Sequence, residues 1–300
     1  MTIPRSRQIS LDHTPYYHCT TRCVRRAFLC GEDRYTGQSF EHRKVWLEKR
    51  FFELSEIFAI GLAAYAVMSN HYHIVVRIDA ERATAWSDDE VLERWGRVFS
   101  VQGNETEDRI TLYRERLVSL SWFMRCINEP MARQSNKEDD CKGRFWEGRF
   151  DCQALLDESA LIRCMTYVDL NPVRAAVAKT LENSVHTSVK ARLEHRDDGL
   201  LGFTDQHGPL PLRRLEYLEL VDWSGRQVRR GKRGKVPADL LPIVDRLGYS
   251  ARQWQREMRH YGRWYARAVG NLASIENYCH HLGQKWLKGQ AAHRGAVNVQ

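Results

Sequence analysis

The chain has 300 residues, 43% hydrophobic and 10% aromatic, with 46 Lys plus Arg against 38 Asp plus Glu for a net charge of +8. This length and composition exclude a disordered or fibrous chain, and they allow one large domain or two smaller ones. No apolar run approaches the roughly 20 residues of a membrane span, and the start (Met1-Thr-Ile-Pro-Arg-Ser-Arg7) lacks a signal peptide's apolar core, so a cytoplasmic protein is expected. The eight cysteines form no CxxC pair, which argues against a zinc ribbon or finger and for reduced thiols.

In chain order, Pro15 to Cys23 is rich in β-formers and predicts a first strand. Apolar residues at helical spacing from Phe40 to Phe58 predict a helix. Ala59 to Asn70 and His71 to Arg77 predict a hairpin turning at Ser69-Asn70. Residues 80–108 are mixed and polar, with a short helix expected from Ser87 to Phe99. A second long helix is expected over Leu112 to Gln134, a fourth strand over Gly143 to Gln153, and a further helix from Asp157-Glu-Ser to about Val177. The order β-α-β-β-α-β is the split βαβ, or ferredoxin-like, pattern of an α+β protein with an antiparallel sheet. Loss of periodicity over residues 186–211 suggests a linker after a catalytic domain of residues 1–185. A small helical domain is expected over 212–288, with helices at Pro237 to Leu247, Ser250 to Val269 and Leu272 to Leu287, and a tail over 289–300. The connection Leu247-Gly-Tyr-Ser250 resembles that of a helix-turn-helix.

Two motifs carry candidate chemistry. On a strand, residues i and i+2 share a face, so His71 and His73 set two imidazoles side by side while Tyr72 faces away. Such a pair suits a divalent metal, or else two half-buried histidines bonded locally. On a helix, Tyr167 and Asn171 are neighbours at i and i+4, and Pro172 is expected to end or kink that helix at Asn171. A phenol and an amide can then address one point; the alternative is a core aromatic followed by a helix cap. Asp169 is expected to be solvated or salt-bridged.

Met68-Ser-Asn-His-Tyr-His-Ile-Val-Val76 together with Tyr167-Val-Asp-Leu-Asn-Pro-Val-Arg-Ala175 resembles the HUH single-strand DNA endonucleases, and among them the single-tyrosine transposases of the REP-associated group. Tyr17-His-Cys-Thr-Thr-Arg22 and Gly143-Arg-Phe-Trp-Glu-Gly-Arg-Phe150 add to the resemblance, which spans residues 10–180. It implies that Tyr167 is the nucleophile, that His71, His73 and Asn171 bind Mg²⁺ or Mn²⁺, and that the substrate is single-stranded or hairpin DNA from repetitive extragenic palindromes. The implied reaction is nicking and strand transfer through a 5′-phosphotyrosine, by a monomer or homodimer. A non-catalytic nucleic-acid-binding regulator is the alternative. Arg22, Arg25 and Arg26 after the first strand, and Trp146 in the aromatic stretch, are candidate DNA contacts, as are Arg226, Arg229, Arg230, Lys232, Arg233 and Lys235 in a basic, glycine-containing stretch expected to be irregular.

The charge is unevenly spread. Residues 211–270 hold 14 Lys plus Arg and 6 Asp plus Glu, a net +8 that equals the charge of the whole chain. The C-terminal unit is therefore expected to supply much of the electrostatic grip on DNA, and its removal to cost binding more than chemistry.

Overall fold

The computed structural model describes residues 4–24, 29–32, 37–228 and 241–290. A short helix α1 (Arg5–Gln8) precedes strand β1 (Tyr16–Arg22), and helix α2 (His42–Ile57) leads to the hairpin β2 (Ile60–Val67) and β3 (His71–Ile78). The excursion holds α3 (Ala80–Thr84), α4 (Asp88–Gly96) and α5 (Glu107–Val118). It has its own aromatic packing, with Trp95 stacked on Tyr113 at 4.8 Å and on Phe99 at 4.5 Å.

The single helix expected over 112–134 is two, because Ser119 is extended at the junction and caps α6 (Leu120–Glu138) through the Trp122 N–H. Strand β4 (Asp151–Leu155) begins later than expected. Residues 143–150 instead hold a lone bridge between Trp146 and Cys23, flanked by backbone bonds from Val24 to Phe145 and from Glu147 to Arg22. Gly143, at φ +105°, supplies the bend before it.

After β4, Asp157 caps α7 (Glu158–Asp169) by accepting from the Ala160 N–H. Pro172 lacks the N–H needed to continue the helix, and the chain breaks at Leu170 and resumes as α8 (Asn171–Arg174), as expected. Residues 186–211, expected as an aperiodic linker, contain α9 (Ser188–Leu193) and are fastened to the sheet, with Thr187 bridging Ala66 and Leu200 bridging Leu62. Then follow α10 (Arg214–Val228), α11 (Leu241–Arg246), α12 (Ala251–Trp264), the two-residue strand β5 (Ala268–Val269) and α13 (Leu272–His281). Arg226, expected in irregular structure, lies in the last turn of α10.

The five strands form one mixed sheet in the order β2-β3-β1-β4-β5, antiparallel throughout except for the parallel pair β4–β5. This is an α+β protein. One face of the sheet carries α2 and α6: Phe51 of α2 lies 5.2 Å from the Tyr72 ring, and Asn128 of α6 accepts the Tyr72 hydroxyl at 2.7 Å. The opposite face carries α7, backed by α10 and α12. The C-terminal segment is therefore woven into the sheet. Its β5 extends the strand order, its Trp254 is fully buried and donates to Ser224, and its Glu257 pairs with the buried Arg163 of α7 at 3.0 Å. Removing residues 211–300 would strip a strand from the sheet and the cover from α7, so the expectation that binding suffers more than chemistry gives way to loss of the fold around α7. No helix among the described residues is long and apolar enough to cross a membrane.

Candidate active site

Strand alternation puts His18, Thr20 and Arg22 of β1 on the face that also carries His71 and His73 of β3, with Thr20 opposite His73 and Arg22 opposite His71. Gln153 of β4 lies opposite His18. The His71 and His73 rings stand edge to face at 4.9 Å, and His18 stacks on His73 at 5.1 Å. Tyr72 points to the far side, as the alternation predicts, and ends between Thr21 and Asn128.

Helix α7 brings Tyr167 to the same face. Its ring centroid is 6.0 Å from that of His73 and 6.5 Å from that of His18, so two motifs nearly a hundred residues apart in sequence meet here. Asn171, one turn later and buried, donates its Nδ2 to the Tyr167 carbonyl at 3.4 Å. Arg174 lies with its guanidinium 5.1 Å from the Tyr167 ring centre and donates to the Met258 carbonyl at 2.5 Å. Tyr167, His73, His18 and Gln153 line a cavity of about 470 Å³ whose walls also include Tyr261 and Gly262 of α12, with Arg5, Arg149 and Arg267 at its margin. The Tyr261 ring stacks on Tyr167 at 4.6 Å. A β-carbon at position 262 would lie 3.0 Å from the Tyr167 hydroxyl, so glycine is what lets α12 come this close.

The electrostatics separate the two kinds of group. Burial pushes the His71 imidazole down to about 4, helped by Arg22, and drives His73 well below its ordinary range; both are neutral at pH 7, the form that binds metals. Burial also raises the Tyr167 phenol, against which Arg174, Asn171 and Arg22 act to lower it. Arg174 is a residue the sequence reading passed over. Its signal lay in the same motif, seven positions after Tyr167, or two helical turns along the same face.

The donor set fits a divalent ion. His71 Nδ1 faces the side-chain oxygen Oδ1 of Asn70 at 2.5 Å; that oxygen only accepts, so the proton is on Nδ1 and Nε2 carries the lone pair. His73 Nε2 is buried with no hydrogen-bond partner, so its lone pair is open to a ligand. Among the described residues no group of three or more His, Cys, Asp or Glu is placed to hold a metal ion, and the Asn171 amide stands one turn after Tyr167.

The remaining expected contacts fall elsewhere. Arg22 is exposed at the site's edge. Trp146 lies off the histidine face: its indole N–H donates to the Asn128 carbonyl at 2.9 Å and its ring sits 6.0 Å from Tyr72. Arg226 is exposed and paired with Asp222. Arg25, Arg26, Arg229, Arg230, Lys232, Arg233 and Lys235 lie outside the described residues. Asp169, expected to be solvated or ion-paired, is fully buried. Its carboxylate accepts from the Ser188 hydroxyl and Val189 N–H on one oxygen and from the Tyr217 hydroxyl on the other, tying α7 to α9 and α10.

No protein-family model and no curated protein matches the chain. One solved structure is similar. It is a REP-associated tyrosine transposase bound to a REP hairpin, at 11% identity and a TM-score of 0.34, over 60% of this chain and 79% of that one. A likeness that weak leaves the functional reading to the geometry described above.

Proposed function

We propose that the protein nicks single-stranded or hairpin DNA and transfers the cut strand, with Tyr167 as nucleophile, His71, His73 and Asn171 as ligands for Mg²⁺ or Mn²⁺, and a REP-type palindrome as substrate. The observation that carries this reading is the meeting, in one cleft, of a half-buried tyrosine with a buried imidazole nitrogen that has no partner. The strand order β2-β3-β1-β4, with the tyrosine helix on the histidine face, supports the ferredoxin-like HUH form of the α+β fold.

In the proposed reaction the Tyr167 hydroxyl gives up its proton to solvent and its Oη attacks phosphorus. The new P–O(Tyr) bond forms as the bond to the 3′-oxygen breaks, and the leaving 3′-oxygen takes up a proton. The phosphotyrosine conserves the ester, so a second 3′-hydroxyl can reverse the step and rejoin a different strand without ATP. Arg174 favours the phenolate that attack requires. A bound divalent ion would supply Lewis-acid polarisation of a non-bridging phosphate oxygen. Arg22, Arg5, Arg149 and Arg267 around the cleft would hold the neighbouring phosphates. Seven of the eight cysteines are buried, and a cytoplasmic setting is part of the proposal.

Mixing the protein with a hairpin oligonucleotide and Mn²⁺ should give a covalent adduct on a denaturing gel. Tyr167→Phe should abolish it while leaving DNA binding within a few-fold. An adduct that persists in Tyr167→Phe would sink the assignment, and DNA binding without any adduct, insensitive to chelator, would favour the non-catalytic regulator.

A further inference from the structure

We infer that His18 and Gln153 are positioning residues for His73: with the backbone of the C-terminal segment they form a hydrogen-bonded relay that holds His73 as its Nδ1–H tautomer, with Nε2 bare. The inference rests on the metal-binding reading proposed above and adds to it the groups that set the ligand.

The direction of each bond follows from the first. The Ala266 carbonyl can only accept, and Gln153 Nε2 donates to it at 3.3 Å, which fixes the orientation of the amide. Gln153 Oε1 therefore faces two donors, the Tyr261 hydroxyl at 2.9 Å and His18 Nδ1 at 3.3 Å. With its proton on Nδ1, neutral His18 offers the lone pair of Nε2, and His73 Nδ1 lies 2.9 Å from it. The Thr20 hydroxyl, 3.0 Å from His73 Nδ1 and 3.4 Å from His18 Nε2, fits the same polarity by accepting from the first and donating to the second. The proton of neutral His73 is thus on Nδ1, and the only atom left over is the buried, unpartnered Nε2. All three side chains are nine-tenths or more buried.

The relay starts in residues 261–266 and ends on β3, so the C-terminal segment reaches the ligand as well as the nucleophile that Tyr261 stacks on. A histidine ligand whose far nitrogen is held in this way keeps its ring orientation and its basicity, and loss of such a partner typically weakens metal binding by about 10- to 100-fold.

Two measurements test the relay. Long-range ¹⁵N NMR of the imidazoles in metal-free protein should show His73 protonated at Nδ1; protonation at Nε2 would overturn the relay whether or not a metal binds. Calorimetric titration with Mn²⁺ should show affinity about 10- to 100-fold weaker in His18→Phe and in Gln153→Leu, and within a few-fold of wild type in Gln153→Glu, whose carboxylate still accepts from His18. Thermal melts establish that each variant is folded, and Gln153→Leu carries the test if His18→Phe is not. Unchanged Mn²⁺ affinity in a folded variant lacking the relay would overturn the positioning role. Wild-type protein that binds no Mn²⁺ would instead overturn the metal reading beneath it, a result distinguishable because the NMR assignment stands apart from the metal.

Discussion

Tyr72 and its neighbours His71 and His73 occupy the same strand yet meet opposite chemistry. On the α2 and α6 face, Tyr72 is fully buried, its ring packed on Phe51 and its hydroxyl donating to Asn128 while accepting from Thr21. On the other face, His73 is nearly as buried but keeps one nitrogen without a partner. An unpaired buried polar atom costs about 1–3 kcal/mol, so a fold tolerates it where something else is gained. The satisfied face belongs to the hairpin and its two helices and is complete once Trp146 packs beside Tyr72. The unsatisfied face is closed by α7 and, about ninety residues further on, by α12.

The comparison can be broken most severely through its late cover. Glu257→Ala would leave Arg163 buried without its carboxylate, an expected loss of about 3–5 kcal/mol in urea unfolding, partly recovered in the double variant Arg163→Met with Glu257→Leu. Stability that did not change would show that α12 does not depend on this pair to stay docked.

Acid should act on the histidine face before the tyrosine face. His18 and His71 are held near 4 in the fold against an ordinary 6.5, so below pH 6.5 the unfolded chain takes up protons that the folded chain does not. Stability should therefore be level above pH 6.5 and fall as the pH drops toward 4, and His71→Ala should flatten that fall in a series of thermal melts.

A smaller effect, confined to chemistry, is expected from Arg174→Gln. Without the cation near its ring, Tyr167 should need a more alkaline solution to ionise. The pH profile of adduct formation should move upward, with a rate at pH 7 about tenfold lower, equivalent to roughly 1.4 kcal/mol. A profile that keeps its position while the rate falls would assign Arg174 to packing against Met258 alone.

The mildest change should come from Tyr72→Phe, which removes a hydroxyl from the satisfied face. About 1 kcal/mol of stability should be lost, with adduct formation unchanged. A drop in activity there would mean that the two faces are coupled through the strand.

Much of this was legible in the sequence because it depends on local periodicity. Alternation along β3 set His71 and His73 against Tyr72, and helical spacing followed by proline placed Tyr167, Asn171 and the break after Asp169. Elements were misread where the deciding partner is remote. Thr187 and Leu200 fasten an aperiodic stretch to β2, and residues 143–150, which lead into β4, make a single bridge from Trp146 to Cys23 beyond the end of β1. Asp169 looked like a surface carboxylate, since nothing near it in sequence announces Ser188 and Tyr217.

What the sequence determined by itself is a set of faces: which side of a strand or helix each functional group lies on follows from the repeat of the backbone and needs no neighbour. Only the tertiary structure decided what closes those faces. Stacking of Tyr261 on Tyr167, the close approach at Gly262 and the bond from Gln153 to Ala266 join residues 94 to 113 positions apart, and such contacts arise from packing and hydrogen-bond satisfaction that no periodicity encodes.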